Sequence, residues 1–523
     1  MFTSFISLVA GSALLQSVSA APALELPTFE RPTPVVKRQN VIEVLENIET
    51  EAAIDLGQIL NPSAIISELA AIVPTASPTD PAHALSLLSA AYATATPSGF
   101  IDGAALILQN SLSPSNVPQI LEALDVFGGI NSANNPNNPD PATPIYPKKL
   151  PCDAPYSVSE QELRSQIYIP STFTYGKKPP VLLFPGTGGR GGQNFQGNFE
   201  ILLGDVDYAD LIWVNPVHFL LQDAQYNSEL AAYAINYASA ISGNQDVGVI
   251  AWSQGNINVH WATKYWPSVR GIVSDHIAIS PDYHGTILAD LIDLDNNVAL
   301  SPSVLQQDYN SNYIKALRSH GGDSAYVPTT NIYSGTYDEI VEPQQNANAS
   351  AILLDAHGVG VTNAQVQLVC GADSPAGLFQ DHESMLASSL SVALAMDALQ
   401  NPGPGQISRI DLSSVCQQPI AAGLSLENFL ETEEAILVAA LELLSLFEAT
   451  NVEPAVSAYA LKSPPAMCTT KAATTTKATK AKTTKATITP APTTLATTVV
   501  QVGISAGVGV SVGSGGIAVS VGL

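Results

Sequence analysis

The segment 247–265 constrains the fold of this chain more than any other. Val247, Gly248, Val249 and Ile250 form an apolar run suited to a buried parallel strand, and 256–265 reads as a helix stopping before Pro267. Between them lies Ala251-Trp252-Ser253-Gln254-Gly255, a serine with a small residue two places to either side. A strand that turns sharply into a helix needs that smallness, because the two backbones crowd at the turn. The same turn thrusts the serine hydroxyl out beyond the end of the sheet. Ala251 stands where the common form of the motif has Gly.

Similar apolar runs recur at 181–184, 211–215, 247–252, 272–279, 330–334 and 364–369, alternating with helical stretches. That alternation over 150–468 predicts an α/β domain, a mainly parallel sheet with helices on both faces. Sites in such sheets sit beyond the carboxyl ends of the strands.

The 523 residues exceed one ordinary domain, and the flanks read differently from the centre. Residues 1–20 have the anatomy of a secretory signal, and 21–38 form a Pro-rich spacer closing on the dibasic Lys37-Arg38. Residues 39–130 read as an all-helical module, with one apolar stripe at Ile42, Val44, Leu45 and Ile48 and another along 82–91. Residues 131–149 are an Asn/Pro-rich linker ending at Lys148-Lys149, so the module is either a retained appendage or a propeptide. Residues 469–498 are a Thr/Lys-rich tract of the O-glycosylated stalk type. In 499–523 apolar residues alternate with Gly or Ser around Gly513-Ser514-Gly515-Gly516, the pattern of a β-hairpin; a lipid-anchor signal and plain disorder are the alternatives.

A net charge of −26 with 13% charged residues excludes a partner that needs basic patches, nucleic acid above all, and suits an extracellular protein. Cys152, Cys370, Cys416 and Cys468 fit no zinc spacing, and disulfides are expected in an oxidising compartment.

A serine hydroxyl is a poor nucleophile until a base takes its proton, and the base needs a carboxylate to fix its tautomer. In a sheet of this kind the chain order is Ser, acid, His. Asp338 follows the run 330–334, and His382 follows 364–369 within Phe379-Gln380-Asp381-His382. Both therefore fall at the strand ends where Ser253 emerges. His357 rivals His382 but precedes its strand; Asp381 rivals Asp338 but adjoins the His. His260, His276 and His284 read as packing or surface residues. Donors for a developing oxyanion are the amide of Gln254 and, in the turn Pro185-Gly186-Thr187-Gly188-Gly189, the amide and hydroxyl of Thr187.

With these blocks in order, 150–468 resembles the fungal serine lipases typified by Candida antarctica lipase B. The resemblance is carried by Leu182-Leu183-Phe184-Pro185-Gly186-Thr187-Gly188, Trp252-Ser253-Gln254-Gly255, Ser280-Pro281-Asp282-Tyr283-His284-Gly285-Thr286, the stretch 327–334, Asp338-Glu339-Ile340-Val341 and Asp381-His382. It implies an α/β-hydrolase fold, a Ser253–Asp338–His382 triad, an oxyanion hole at Thr187 and Gln254, and no cofactor or metal. It also implies that Trp252 floors the alcohol side of the pocket and that Asp282 and Gln307 line the site. Cys370 and Cys416 match one family bridge. Cys152 and Cys468 each lack the family partner, with Ile212 and Val452 in those places, and a new Cys152–Cys468 bridge is expected. Asn256 replaces a family Gly after the motif, and Gly189 replaces a hydroxyl residue.

An acyl chain needs an apolar channel. Ile287, Leu288, Leu291 and Ile292 form one candidate stripe past Asp282. Leu437, Leu441 and Leu444 form another on a helix read at 425–447, where Leu441 replaces a small residue and narrows the site. The expectation is a secreted, monomeric lipase or carboxylesterase, cell-wall associated or free, acting on lipid or ester substrates with contact at a lipid interface. Activity should fall as pH drops through roughly 6–7, where the base charges. Acyl transfer or polyester cleavage by the same triad is the alternative within catalysis, and a non-catalytic wall-binding protein the alternative outside it. Asn348-Ala349-Ser350 is a glycosylation sequon.

Overall fold

The computed structural model describes residues 61–468, save 96, 98, 126–127, 288–298, 336 and 446, together with the backbone of 508–513 and 516–521. The signal, the spacer, the first stripe of the helical module, Leu288, Leu291, Ile292 and the stalk lie outside the described residues.

Seven strands form the main sheet: β1 (Ile167–Tyr168), β2 (Pro180–Phe184), β3 (Asp210–Val214), β4 (Val247–Trp252), β5 (Val273–Ile279), β6 (Thr329–Tyr333) and β7 (Val361–Gln365). Their spatial order is β1-β3-β2-β4-β5-β6-β7, and every pairing is parallel except that of β1 with β3. Every residue of β2, β3 and β4 is buried, which is why these strands read as unbroken apolar runs.

Successive side chains of these strands enter opposite cores, as the two-residue strand period requires. Leu182, Phe184, Ile212 and Val214 pack with Tyr233 and Ile257, which lie on helices α5 (Ala224–Ile241) and α6 (Gln254–Tyr265). Val181, Leu183, Leu211 and Trp213 pack with Leu390 and Leu394 of α7 (Ser389–Gln400) and with Ala435 of α8 (Leu426–Leu443). Helix α8 opens with a reciprocal cap between Ser425 and Asn428.

One strand differs from its reading. The sixth run was expected at 364–369, whereas β7 spans Val361–Gln365 and Val366–Val369 is a helical turn. The strand is at the sheet edge with Thr362 and Asn363 at its centre, so its pairing is not announced by hydrophobicity. The apolar residues that drew attention belong to the turn that follows.

The N-terminal region contributes αN1 (Pro62–Ala71), αN2 (Pro81–Ala95), αN3 (Phe100–Gln109) and αN4 (Val117–Asp125). They do not enclose a core of their own. Leu69, Ala104, Val117 and Ile120 share one apolar cluster with Leu437, Val438, Ala440 and Leu441 of α8. Leu85, Leu88 and Tyr92 share another with Phe379, Phe429 and Ile436. The Asn-rich segment behind them is stitched to the α/β body. Asn135 Nδ2 donates to Ser165 O, Asn138 Nδ2 to Ile167 O, and Ile130 O accepts from Trp213 Nε1 at 2.8 Å.

Cys370 pairs with Cys416, and Cys152 with Cys468 across 316 residues of chain. The tail strands β8 (Val508–Gly513) and β9 (Gly516–Val521) pair antiparallel, with Val508 opposite Val521. Among the described residues no helix is long and apolar enough to cross a membrane.

Candidate active site

Ser253 sits between β4 and α6 with φ 53° and ψ −132°, a conformation that L-residues seldom adopt. The neighbouring Gly255 is required: a Cβ there would lie 2.4 Å from Pro185 O. Asn256 fastens the turn from behind, its Nδ2 donating to Ser253 O and to Ile279 O at 3.0 Å each. The residue noted as a departure is thus a brace.

His382 Nδ1 meets both oxygens of Asp338, at 2.9 and 3.0 Å, with both side chains almost fully buried. No described residue hydrogen-bonds to His382 Nε2. The loop bearing His382 is tied to the serine turn by two contacts. Trp252 Nε1 donates to His382 O at 3.2 Å with the two rings 5.2 Å apart, and Ser280 Oγ donates to the same carbonyl. Ser253 N itself bonds to Ile279 O, one residue before Ser280. Burial disfavours the charged imidazole, but the Asp338 carboxylate and its hydrogen bond prevail and raise His382 above the ordinary 6.5.

The oxyanion candidates converge on the same turn. A Cβ on Gly186 would meet the Trp252 ring and Ser253 Cβ, so the loop 185–189 lies directly against the serine. Thr187 Oγ1 lies 2.7 Å from Gln254 Oε1 and 3.0 Å from Gln307 Oε1, and Gln307 Nε2 donates to Gln254 Oε1 at 3.1 Å. The hydroxyl has one proton for two acceptors, while no described residue accepts from the amides of Thr187 and Gln254. Gly188, at φ 69°, presses on the backbone of Ala439 and so seats this loop on α8. Asp282 is buried with both carboxylate oxygens unpaired among the described residues; burial pushes its carboxyl up to about 7.

Other expected residues lie elsewhere. Leu437 and Leu441 are 0% and 3% exposed beneath αN1, αN3 and αN4, so packing accounts for the apolar stripe read as a channel wall. The helix period shows that a face is buried, but not against what. Leu444 is buried, Ile287 is half-buried and Asn348 is exposed. His357 bonds Ala325 O and stacks on Tyr326, His260 bonds Gly322 O, His276 meets Asn256, and His284 faces Asp323. A surface cavity of about 580 Å³, lined by Gln245, Asp275 and Asn401, lies at the amino ends of β4 and β5, away from this chemistry.

Sequence reasoning missed a set of acids behind the histidine. Glu339, Asp381, Glu383 and Glu433 are 3%, 1%, 1% and 0% exposed. Glu339 Oε2 accepts the main-chain N–H of His382 at 3.1 Å. Oxygens of Glu339, Asp381 and Glu383 come within 4.8 Å of one another, a spacing that suits a cation or shared protons.

No protein-family profile matches the chain. It is 36% identical over 307 residues to Lipase B of Pseudozyma antarctica, covering 57% of this chain and 83% of that protein. Its structure matches the crystal structure of Aspergillus fumigatus lipase B with a TM-score of 0.69 and 41% identity, covering 80% of this chain and 99% of that one.

Proposed function

The chain belongs to the fungal lipase B family, with its α/β-hydrolase fold, and from that premise we propose that it hydrolyses acylglycerols or other carboxylic esters through an acyl-Ser253 intermediate. The observation that carries this reading is the buried Asp338–His382 bond, which leaves Nε2 unengaged on a loop that Trp252 and Ser280 tie to the strained serine turn.

Nε2 takes the proton of Ser253 as the hydroxyl attacks the ester carbonyl. Asp338 fixes the Nδ1–H tautomer and steadies the imidazolium. The amides of Thr187 and Gln254 receive the oxyanion, and a donor of this type is worth roughly 3 kcal/mol of barrier. The imidazolium then protonates the leaving alcohol, and the neutral ring activates water to release the acid. Trp252 and Asp282 border the reacting atoms. The near-complete burial of Ser253 favours small or narrow esters over a polymer surface.

The reading includes secretion, led by residues 1–20, and a glycan on the exposed Asn348; two disulfides are consistent with an oxidising compartment. It includes retention of the N-terminal helices, since removing them would bare Leu437, Val438 and Leu441 to water.

The test is hydrolysis of p-nitrophenyl esters of graded chain length by wild type and Ser253→Ala. The variant should lose roughly 10⁶-fold in kcat. Undiminished turnover in it would reject the nucleophile, and no turnover in the wild type would favour a binding protein.

A further inference from the structure

The four buried acids behind His382 come from three places: Glu339 follows the loop of Asp338, Asp381 and Glu383 flank His382, and Glu433 projects from α8. The charged or titratable groups facing them are Tyr92 of αN2, Asp338, and His382. No Lys or Arg is among them. As carboxylates, Glu383 and Glu433 find no hydrogen-bond donor for any of their four oxygens among the described residues. As acids they do find partners, because Glu383 lies within hydrogen-bond reach of Glu339 and Glu433 within reach of Asp381.

We propose that Glu383 and Glu433 are positioning residues that keep their protons and donate them, Glu383 to Glu339 and Glu433 to Asp381, locking the His382 loop to α8 and to the Asp338 loop. Through Glu339 Oε2 the lock reaches the main-chain N–H of His382 itself. A divalent cation fits less well. It prefers six to eight oxygen ligands, and only Glu339, Asp381 and Glu383 bring oxygens within 4.8 Å of one another. Burial pushes Glu339 up to about 8 and Asp381 up to about 6, with neighbouring carboxylates adding to the first. Burial and the adjacent acids push Glu383 and Glu433 well up.

The sign of the pH effect follows. These protons leave the unfolded chain near its ordinary carboxyl pKa of about 4.3, but the folded chain retains them. The stability they confer is therefore full below about 4.3 and declines as pH rises. The unfolding constant grows about tenfold per pH unit for each retained proton. The loss is complete only once Glu383 and Glu433 ionise in the folded chain, well above their ordinary value.

The experiment uses the full chain. Wild type should show an infrared band of protonated carboxyl at about pH 6, and a melting temperature falling as pH rises between about 5 and 8. Glu383→Gln and Glu433→Gln, whose amides can donate in place of the acid, should each lower that slope by about one proton, about tenfold in the unfolding constant per pH unit, and keep ester turnover within about tenfold of wild type. Glu433→Ala should lower kcat and leave KM unchanged, and the Gln variant should restore kcat. The proposal is overturned by absence of the band, by an unaltered slope in both Gln variants, or by stoichiometric calcium binding in equilibrium dialysis with a melting temperature lowered by chelator. The role assigned to the lock rests on His382 being the base, but the infrared and melting readouts do not. Their failure therefore leaves ester hydrolysis standing, and a failed Ser253→Ala test leaves them standing.

Discussion

His382 is bordered by two kinds of carboxyl group. Asp338 meets its ring, where an acceptor is opposite a donor and each oxygen lies about one hydrogen-bond length from Nδ1. Glu339 and Asp381 accept from the main-chain N–H groups of His382 and Ser384, and Glu383 and Glu433 reach only carboxyl groups among the described residues, with no Lys or Arg at hand. Burial is nearly equal in the two places, so burial alone does not set how an acid is held. What differs is whether a donor is already present. Where it is, the acid orients a catalytic group; where it is not, the acid must bring its own proton.

The same chemical change on the two sides gives the largest contrast. Asp338→Asn should cost roughly 10⁴-fold in kcat, because the amide cannot accept from Nδ1 and the wrong tautomer is favoured. Purified variant and wild type compared on one p-nitrophenyl ester decide this. Two turns along α8 from Glu433, Leu441→Ala should lower unfolding free energy by about 2–5 kcal/mol through the cavity it leaves beneath the N-terminal helices. Denaturant melts at several pH values should show that loss with the pH slope unchanged; a changed slope would blur the line between apolar and acidic packing on this helix. Turnover in wild type should fall about tenfold per pH unit as pH drops below the pKa of His382, which the Asp338 carboxylate raises above the ordinary value. The smallest effect is expected from Glu383→Gln, under about tenfold in kcat near pH 6; a drop as deep as that of Asp338→Asn would erase the distinction drawn here. The proposed base and the proposed lock thus make opposite demands, the first expected to fail in acid and the second in alkali.

Much of this was written in the chain. The strand β4 spans the residues its apolar run marks, and Ser253, Asp338 and His382 stand out in the sequence because each follows an apolar run. Edge strand β7 was read three residues late because Thr362 and Asn363 give no apolar signal. The docking of αN1, αN3 and αN4 on α8 could not be read, since an amphipathic stripe reports that a face is hidden without naming its partner. The acid cluster was least visible. Glu339 and Glu433 are 94 positions apart, and glutamates in a helix as acidic as α8 look like a solvated face. The one available signal is local: Glu433 lies one turn before Leu437, in line with the stripe Leu437, Leu441 and Leu444.

The Cys152–Cys468 bond has a mechanical meaning. A pull on the tail beyond Cys468, opposed at the N-terminal helices, runs through the sulfur atoms and bypasses the 315 residues they enclose. The covalent path thus skips the sheet, the serine turn and the histidine loop, and tension reaches them only through the docking of αN1, αN3 and αN4 on α8 and the hydrogen bonds of Asn135 and Asn138.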